Sequence, residues 1–168
     1  MSKNVPFETT IHVRDTCLCL HAQRAARALA RRFDEALRPV GLTNGQFSLL
    51  MSLNRPPPPP VAPVARLLAM DRTTLTAALK PLERRGLVIT EPDPKDRRSR
   101  LLRLSEKGHE ILLAALPIWR ATHAAVDAEM QEDLPETRQG DLQAMLVALG
   151  GTGTVRVSSG PRAGPEAA

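Results

Sequence analysis

The sequence predicts a mainly α-helical fold with one small β-hairpin. Three observations lead there. Hydrophobic residues make up 42% of the chain but aromatic ones only 2%, so the core has to be built from Leu, Ala, Val and Met, and leucine and alanine are strong helix formers. Leu87 to Glu91 is a β-branched and apolar stretch, and a second short run, Arg100 to Leu104, follows it across the turn-forming segment Pro92 to Ser99. Ahead of this hairpin, Asp71 stands where an N-cap belongs and Gly86 where a residue just past a helix end belongs, with Leu75, Ala78, Leu79 and Leu82 at helical spacing between them. At 168 residues the chain is long enough for one domain with a full core.

In chain order, residues 1 to 12 show no periodicity and are expected to form a flexible arm. From His12 to Leu37 an apolar stripe of Leu18, Ala22, Ala25, Ala26, Leu29, Phe33 and Leu37 lies opposite Arg24, Arg27, Arg31, Arg32 and Arg38, as on one long amphipathic helix whose basic side is a solvated face. Pro39 and Gly41 end it, and Thr43 opens the next helix, with Phe47, Leu50, Met51 and Leu53 directed inward. Pro56 to Pro60 fit neither a helix interior nor a central strand and are expected to form a stiff, extended surface spacer. Val61 to Ala69 follows as a short helix with Val64, Ala65, Leu67 and Leu68 on its buried side, and Ala69-Met70 turns the chain into a helix from Arg72 to Arg85. Pro81 removes one hydrogen bond of that helix and is expected to bend it. After the hairpin, Ser105 caps a long helix bent at Pro117, with Leu112, Ala115 and Trp119 among its apolar residues, and a last helix spans Pro135 to Leu149. Residues 150–168 are rich in Gly, Ser and Pro and are expected to be disordered. Residues 13–149 therefore make one domain, in which 43–104 form a compact lobe. The flanking helices, 13–38 and 105–149, carry more apolar face than this lobe can bury, and a two-fold dimer is the natural way to cover it.

The two helices around Ala69-Met70 read as a helix-turn-helix, an arrangement whose second helix enters the major groove of DNA. Its outward residues are Arg72, Thr73, Thr74, Thr76, Ala77, Lys80 and Arg84. Short hydroxyl and methyl groups suit base edges and thymine methyls, and the cations around them suit phosphates. The hairpin tip adds Lys95, Arg97 and Arg98. From Arg72 to Arg103, nine Lys and Arg face four acids, a surplus of five that equals the formal net charge of the whole chain.

This helix and hairpin resemble the reading helix and wing of the MarR family of bacterial winged helix-turn-helix regulators, over most of Arg14 to Leu149. Asp96-Arg97-Arg98 is similar to the family's D-x-R wing tip, and Leu101 to Gly108 to its second wing strand and the start of the next helix, with Ser105 where threonine is usual. The resemblance implies a winged helix-turn-helix fold with N- and C-terminal dimerisation helices, a palindromic double-stranded DNA operator, and Arg98 in the minor groove with Asp96 holding its guanidinium. It also implies a small aromatic ligand in the cleft between the dimer helices and the lobe, for which Phe47, Met51 and Cys19 are candidate lining residues.

Other chemistries have little support. His12, His21, His109 and His123 are scattered, and no glycine-rich phosphate loop, nucleophile elbow or metal-ligand spacing occurs, so no metal, cofactor or enzymatic activity is expected. No stretch is long and apolar enough to span a bilayer, and the N-terminus lacks the basic-then-apolar order of a signal peptide, which makes the expected location cytoplasmic. Cys17 and Cys19 are two apart, about 200° around a helix, so they are not expected to bridge within one. The N-terminal helix is similar to that of OhrR, the branch of the family that senses organic hydroperoxides, and an ungapped alignment through Thr43 and Gln46-Phe47 brings Arg27 and Cys19 onto that branch's arginine and sensing cysteine. Phe33 and Phe47 stand where that branch uses phenols, and the chain has no tyrosine. Local charge points instead to Cys17, flanked by Arg14 and His21, whereas Asp15 lies beside Cys19. The expected function is thus a repressor released by an aromatic ligand or by thiol oxidation. The alternatives are an architectural DNA-binding protein without an effector, and a thiol peroxidase or reductase using Cys17 and Cys19.

Overall fold

Leucine fills the centre of the molecule, as the scarcity of aromatic residues requires. The computed structural model describes residues 4–96, 98–133 and 136–150; the expected tail from 151 onward, the first three residues of the expected arm and Pro135 lie outside the described residues. The largest fully buried side chains are Leu37, Leu49, Leu50, Val64, Leu75, Leu82, Leu87 and Leu102. Most come from helices α2 (Leu18–Leu37), α3 (Asn44–Leu53), α4 (Val61–Leu67) and α5 (Arg72–Arg84), and Leu102 comes from the hairpin of β1 (Val88–Pro92) and β2 (Arg100–Leu104). Ahead of them lies α1 (Phe7–Thr16), and after them come α6 (Glu106–Asp133) and α7 (Glu136–Leu149).

The N-terminal region departs from expectation in two ways. Residues 7–12, expected as part of an arm, belong to helix α1, which has no buried residue. The single long helix expected from His12 is broken at Cys17, whose extended backbone (φ −73°, ψ 103°) separates α1 from α2. Just before the break the Thr16 hydroxyl donates back to the His12 carbonyl at 2.7 Å, a local bond that competes with the helix ladder. The apolar stripe gives no sign of this, because it begins only at Leu18. Downstream, Thr43 and Gln46 form a reciprocal capping box that starts α3, in keeping with the expected start at Thr43. Leu49 is buried in the core, whereas Met51 and Leu67, expected inside, are exposed. Met51 and Leu67 lie on the faces of α3 and α4 that border a cleft with α6.

Helix α5 runs through Pro81 to Arg84. Past it, Gly86 takes the left-handed conformation (φ +70°) that a side chain disfavours, and Leu87 N–H returns to the Leu82 carbonyl at 2.9 Å, closing the helix. The strands pair antiparallel with Val88 opposite Leu104 and Pro92 opposite Arg100. The proline run is more than a spacer: Pro59 is buried, its carbonyl accepts from Leu102 N–H at 3.0 Å, and Pro60 bridges Leu101. A proline edge can do this because it needs only its carbonyl.

Three chain segments meet where α6 begins. The Ser105 hydroxyl accepts from Gly108 N–H at 2.9 Å and donates to the Gly86 carbonyl at 2.6 Å, and Ser105 N–H reaches the Leu87 carbonyl at 3.1 Å. A Cβ at Gly108 would lie 2.2 Å from the Leu87 carbonyl oxygen, so only glycine permits the approach. Farther along α6, Arg32 of α2 clasps Glu129 through two hydrogen bonds, which hold the Glu129 carboxyl below its ordinary value. The apolar face beyond this clasp is uncovered: Leu18 is 75% exposed, Met145 58% and Leu149 73%.

Gly108→Ala is expected to lower unfolding stability in urea by about 1–3 kcal/mol, the cost of forcing atoms into a filled space. Gly140→Ala, in α7 with nothing within 4 Å, should be neutral or slightly stabilising. The clasp predicts a pH dependence. Because the folded value of Glu129 is lowered, its contribution is complete above the ordinary glutamate value of 4.5 and is lost as pH falls through the folded value. The thermal midpoint of Glu129→Gln should therefore lie below that of the parent near neutral pH, and the gap should close in acid.

Candidate nucleic-acid interface

Two faces of α5 do different work. Leu75, Leu79 and Leu82 are buried, while Arg72, Thr73, Thr74, Thr76, Ala77, Lys80 and Arg84 lie outward, all exposed. Asp71 caps the helix: Oδ1 accepts from Thr74 N–H at 2.8 Å and Oδ2 from the Thr74 hydroxyl at 2.6 Å. The Thr74 hydroxyl first, and its backbone N–H second, hold the Asp71 carboxyl below its usual value. The cap and the ladder occupy two of the three threonine protons, since the Thr76 hydroxyl donates to the Arg72 carbonyl at 2.7 Å. Thr74 and Thr76 thus offer methyls and acceptor lone pairs outward, and the Thr73 hydroxyl makes no hydrogen bond among the described residues.

The wing tip is built from two aspartate turns. Asp93 Oδ1 accepts from Lys95 N–H at 2.8 Å, Asp96 Oδ1 from Arg98 N–H at 2.9 Å, and Ser99 N–H returns to the Asp96 carbonyl at 2.8 Å. Asp96 therefore fixes Arg98 through its main chain and leaves the guanidinium unheld among the described residues, contrary to the pairing that the family resemblance implies. Lys95 and Arg98 are exposed, and Arg97 lies outside the described residues. Some cations of the basic segment serve the fold. Arg103 is paired with Glu91 at 2.8 Å, and Arg85 donates to the Gly41 carbonyl at 2.8 Å. In the sequence Arg85 registers only as charge, and its pairing with a glycine carbonyl 44 residues away leaves no local signal.

A cleft of about 410 Å³ opens between α3, α4 and α6, with Phe47, Met51, Leu67 and Leu116 among its walls and the hydroxyls of Ser48 and Ser52 at its edge. Trp119 stacks on Phe47 with ring centroids 6.0 Å apart and leans on His123 at 4.9 Å. Cys19 is not among the lining residues, so only two of the three expected residues meet here. Both cysteines are free thiols. The helical-spacing argument against their bridging loses its premise, because Cys17 sits in the break before α2. Cys19 Sγ accepts from Gln23 Nε2 at 3.1 Å, and Gln23 Oε1 accepts from Arg27 at 3.1 Å. The charge argument for Cys17 weakens, since Arg14 is bound to Asp15 at 2.6 Å. Among the described residues no group of three or more His, Cys, Asp or Glu is placed to hold a metal ion, and no helix is long and apolar enough to cross a membrane.

Known proteins share this arrangement. The chain is 34% identical over 107 residues to the transcriptional activatory protein BadR of Rhodopseudomonas palustris, covering 61% of each. It is 33% identical over 117 residues to the transcriptional repressor MprA of Escherichia coli, covering 68% of this chain and 63% of that one. The matches thus span less than two thirds of these relatives' lengths. Among solved structures, the M. tuberculosis regulator MosR in complex with DNA is 34% identical with a TM-score of 0.68, covering 80% of this chain and 93% of MosR. The repressor CouR bound to a 23-mer DNA duplex is 30% identical with a TM-score of 0.69, covering 82% and 94%. The MarR family model matches residues 42–99, from the residue before the α3 cap through the reading helix to the end of the wing tip; with nearly the whole of MosR overlaid at one-third identity, the chain belongs to the MarR family.

Proposed function

We propose that this protein is a dimeric, sequence-specific DNA-binding regulator of transcription, acting in the cytoplasm as a repressor whose hold on a palindromic operator is released by a small aromatic ligand. The observation that carries this reading is the division of α5, with leucines locked into the core and a run of short side chains flanked by free cations outside. Thr73, Thr76 and Ala77 would meet base edges, and Arg72, Lys80 and Arg84 the phosphates on either side. The wing would place Arg98 in the minor groove, where negative potential is concentrated, with Lys95 and Arg97 on phosphates. BadR is named an activator and MprA a repressor, so the sign of regulation varies among the relatives. The uncovered apolar surface of α2 and α7 is what a second copy would bury.

The cleft supports the choice of effector. Its walls are mostly apolar and no charged residue lines it, which suits a flat apolar ring more than a charged molecule. A ring inserted against Phe47 and Trp119 would push α6 away from α3 and α4. CouR has been seen bound to p-coumaroyl-CoA, although at 23% identity that complex bears on the fold alone. The Gln23 to Cys19 hydrogen bond favours a second route of release, by oxidation of Cys19 with an organic hydroperoxide.

Arg98→Ala should weaken binding to a duplex selected from a random pool by about 1–3 kcal/mol. A Lys95/Arg97 double alanine variant should lower the slope of log K against log salt by about 0.9 for each phosphate that it no longer neutralises. An unchanged slope would mean that the wing does not touch phosphates. For the thiol route, an organic hydroperoxide should lower operator affinity, with Cys19→Ser abolishing the response and Cys17→Ser altering only its rate. If a Cys17/Cys19 double serine variant responds like the parent, the thiols play no part and the effector acts in the cleft.

A further inference from the structure

Positive charge is concentrated a second time, away from the reading helix and wing. Residues 18–33 contain four arginines and no acid. Of these, Arg32 is tied to Glu129 and Arg27 donates to the neutral Gln23, while Arg24 and Arg31 make no hydrogen bond or ion pair among the described residues. Arg14 and Arg38, on either side of this run, are by contrast matched by Asp15 and Glu35. With His21, the unmatched cations border a shallow groove of about 690 Å³ whose floor is Ala25 and Ala28.

Geometry keeps this ridge free. At 100° per residue, Arg24, Arg27 and Arg31 lie about 120–180° around α2 from Phe33, which is buried in the core. A second copy covering the exposed Leu18 and Leu29, which lie within about 60° of Phe33, would leave Arg24, Arg27 and Arg31 outward. From His21 to Arg31 the helix rises about 15 Å, a length over which duplex DNA presents about nine phosphate charges.

We propose that the α2 ridge is a second, sequence-independent DNA-binding surface, which holds the phosphate backbone of a duplex other than the one read by α5 and the wing. An acidic protein is the less fitting partner. A protein interface is anchored by buried aromatic or large apolar residues, and the floor here is two alanines. Binding to a phosphate backbone needs only cations in an array, and guanidinium groups bind phosphate in a fork of two hydrogen bonds. A dimer carrying two such ridges would join two stretches of DNA. The inference rests on the proposed DNA-binding reading only in that the first duplex is taken to occupy α5 and the wing.

The test uses full-length protein, one labelled duplex selected from a random pool per dimer, and a second duplex of unrelated sequence in another colour. Sedimentation of both colours together is expected for the parent. Arg24→Gln/Arg31→Gln should keep its affinity for the selected duplex within about twofold, which also shows that it folds. Its capture of the unrelated duplex should fall at least about tenfold, with a salt slope lower by about 1.8 per ridge. Equal capture by parent and variant, or no two-colour complex with the parent, overturns the proposal. So does capture of poly-glutamate in preference to the unrelated duplex, which would make the ridge a site for acidic protein. If the selected duplex does not bind, the regulator reading fails on its own, and the difference between parent and variant in binding the unrelated duplex still decides the ridge.

Discussion

The contact on which the rest of the structure depends is the approach of the first turn of α6 to the end of α5. Glycine at position 108 lets the helix come against the Leu87 carbonyl, and the Ser105 hydroxyl joins Gly108 N–H to the Gly86 carbonyl. Lys107 adds a hydrogen bond to the Arg85 carbonyl at 3.1 Å. The exit of the reading helix, the start of the wing and the start of the longest helix are thus fixed by one small set of backbone contacts. Since α6 also walls the cleft, a ligand that displaced it would act on α5 and β1 through these contacts. In the proposed function this joint carries the effector's signal to DNA.

Charge is divided between holding the fold and meeting a partner. Arg85, Arg103 and Arg32 are committed to a carbonyl, to Glu91 and to Glu129. Arg72, Lys80, Arg84, Lys95 and Arg98 are left exposed on α5 and the wing. The bound arginines contribute little to an external field, because their partners neutralise them or hold them inward. The surplus counted along the basic segment therefore mixes anchors with contacts, and only the structure separates the two.

The reading helix is legible in the sequence because each signal for it is local. Asp71 lies three residues before the N–H it caps, Gly86 lies just past the last turn, and the leucines recur at helical spacing. The hairpin follows in the same way from two short apolar runs about a turn. What stays hidden depends on distance or on backbone conformation. At Cys17 the backbone leaves the helix for an extended conformation, which apolar periodicity cannot register. The burial of Pro59 beside Leu102 and the anchoring of Arg85 at Gly41 join segments more than forty residues apart. The exposure of Met51 and Leu67 arises because a cleft borders them, and an apolar residue lining a cleft looks in sequence like one lining a core. Cys19 lies on an exposed stretch away from the cleft for a related reason, since alignment with another protein's cysteine carries no information about which surface the residue meets.

The central claim is that two copies of α5, held at a fixed separation by the helices at the chain's ends, read DNA together. The most direct test is the sequence that the protein selects from a random DNA pool. The account predicts a palindrome whose half-sites are about one helical turn apart, roughly 10–10.5 base pairs from centre to centre. A single unrepeated site, or no preferred sequence at all, would contradict it.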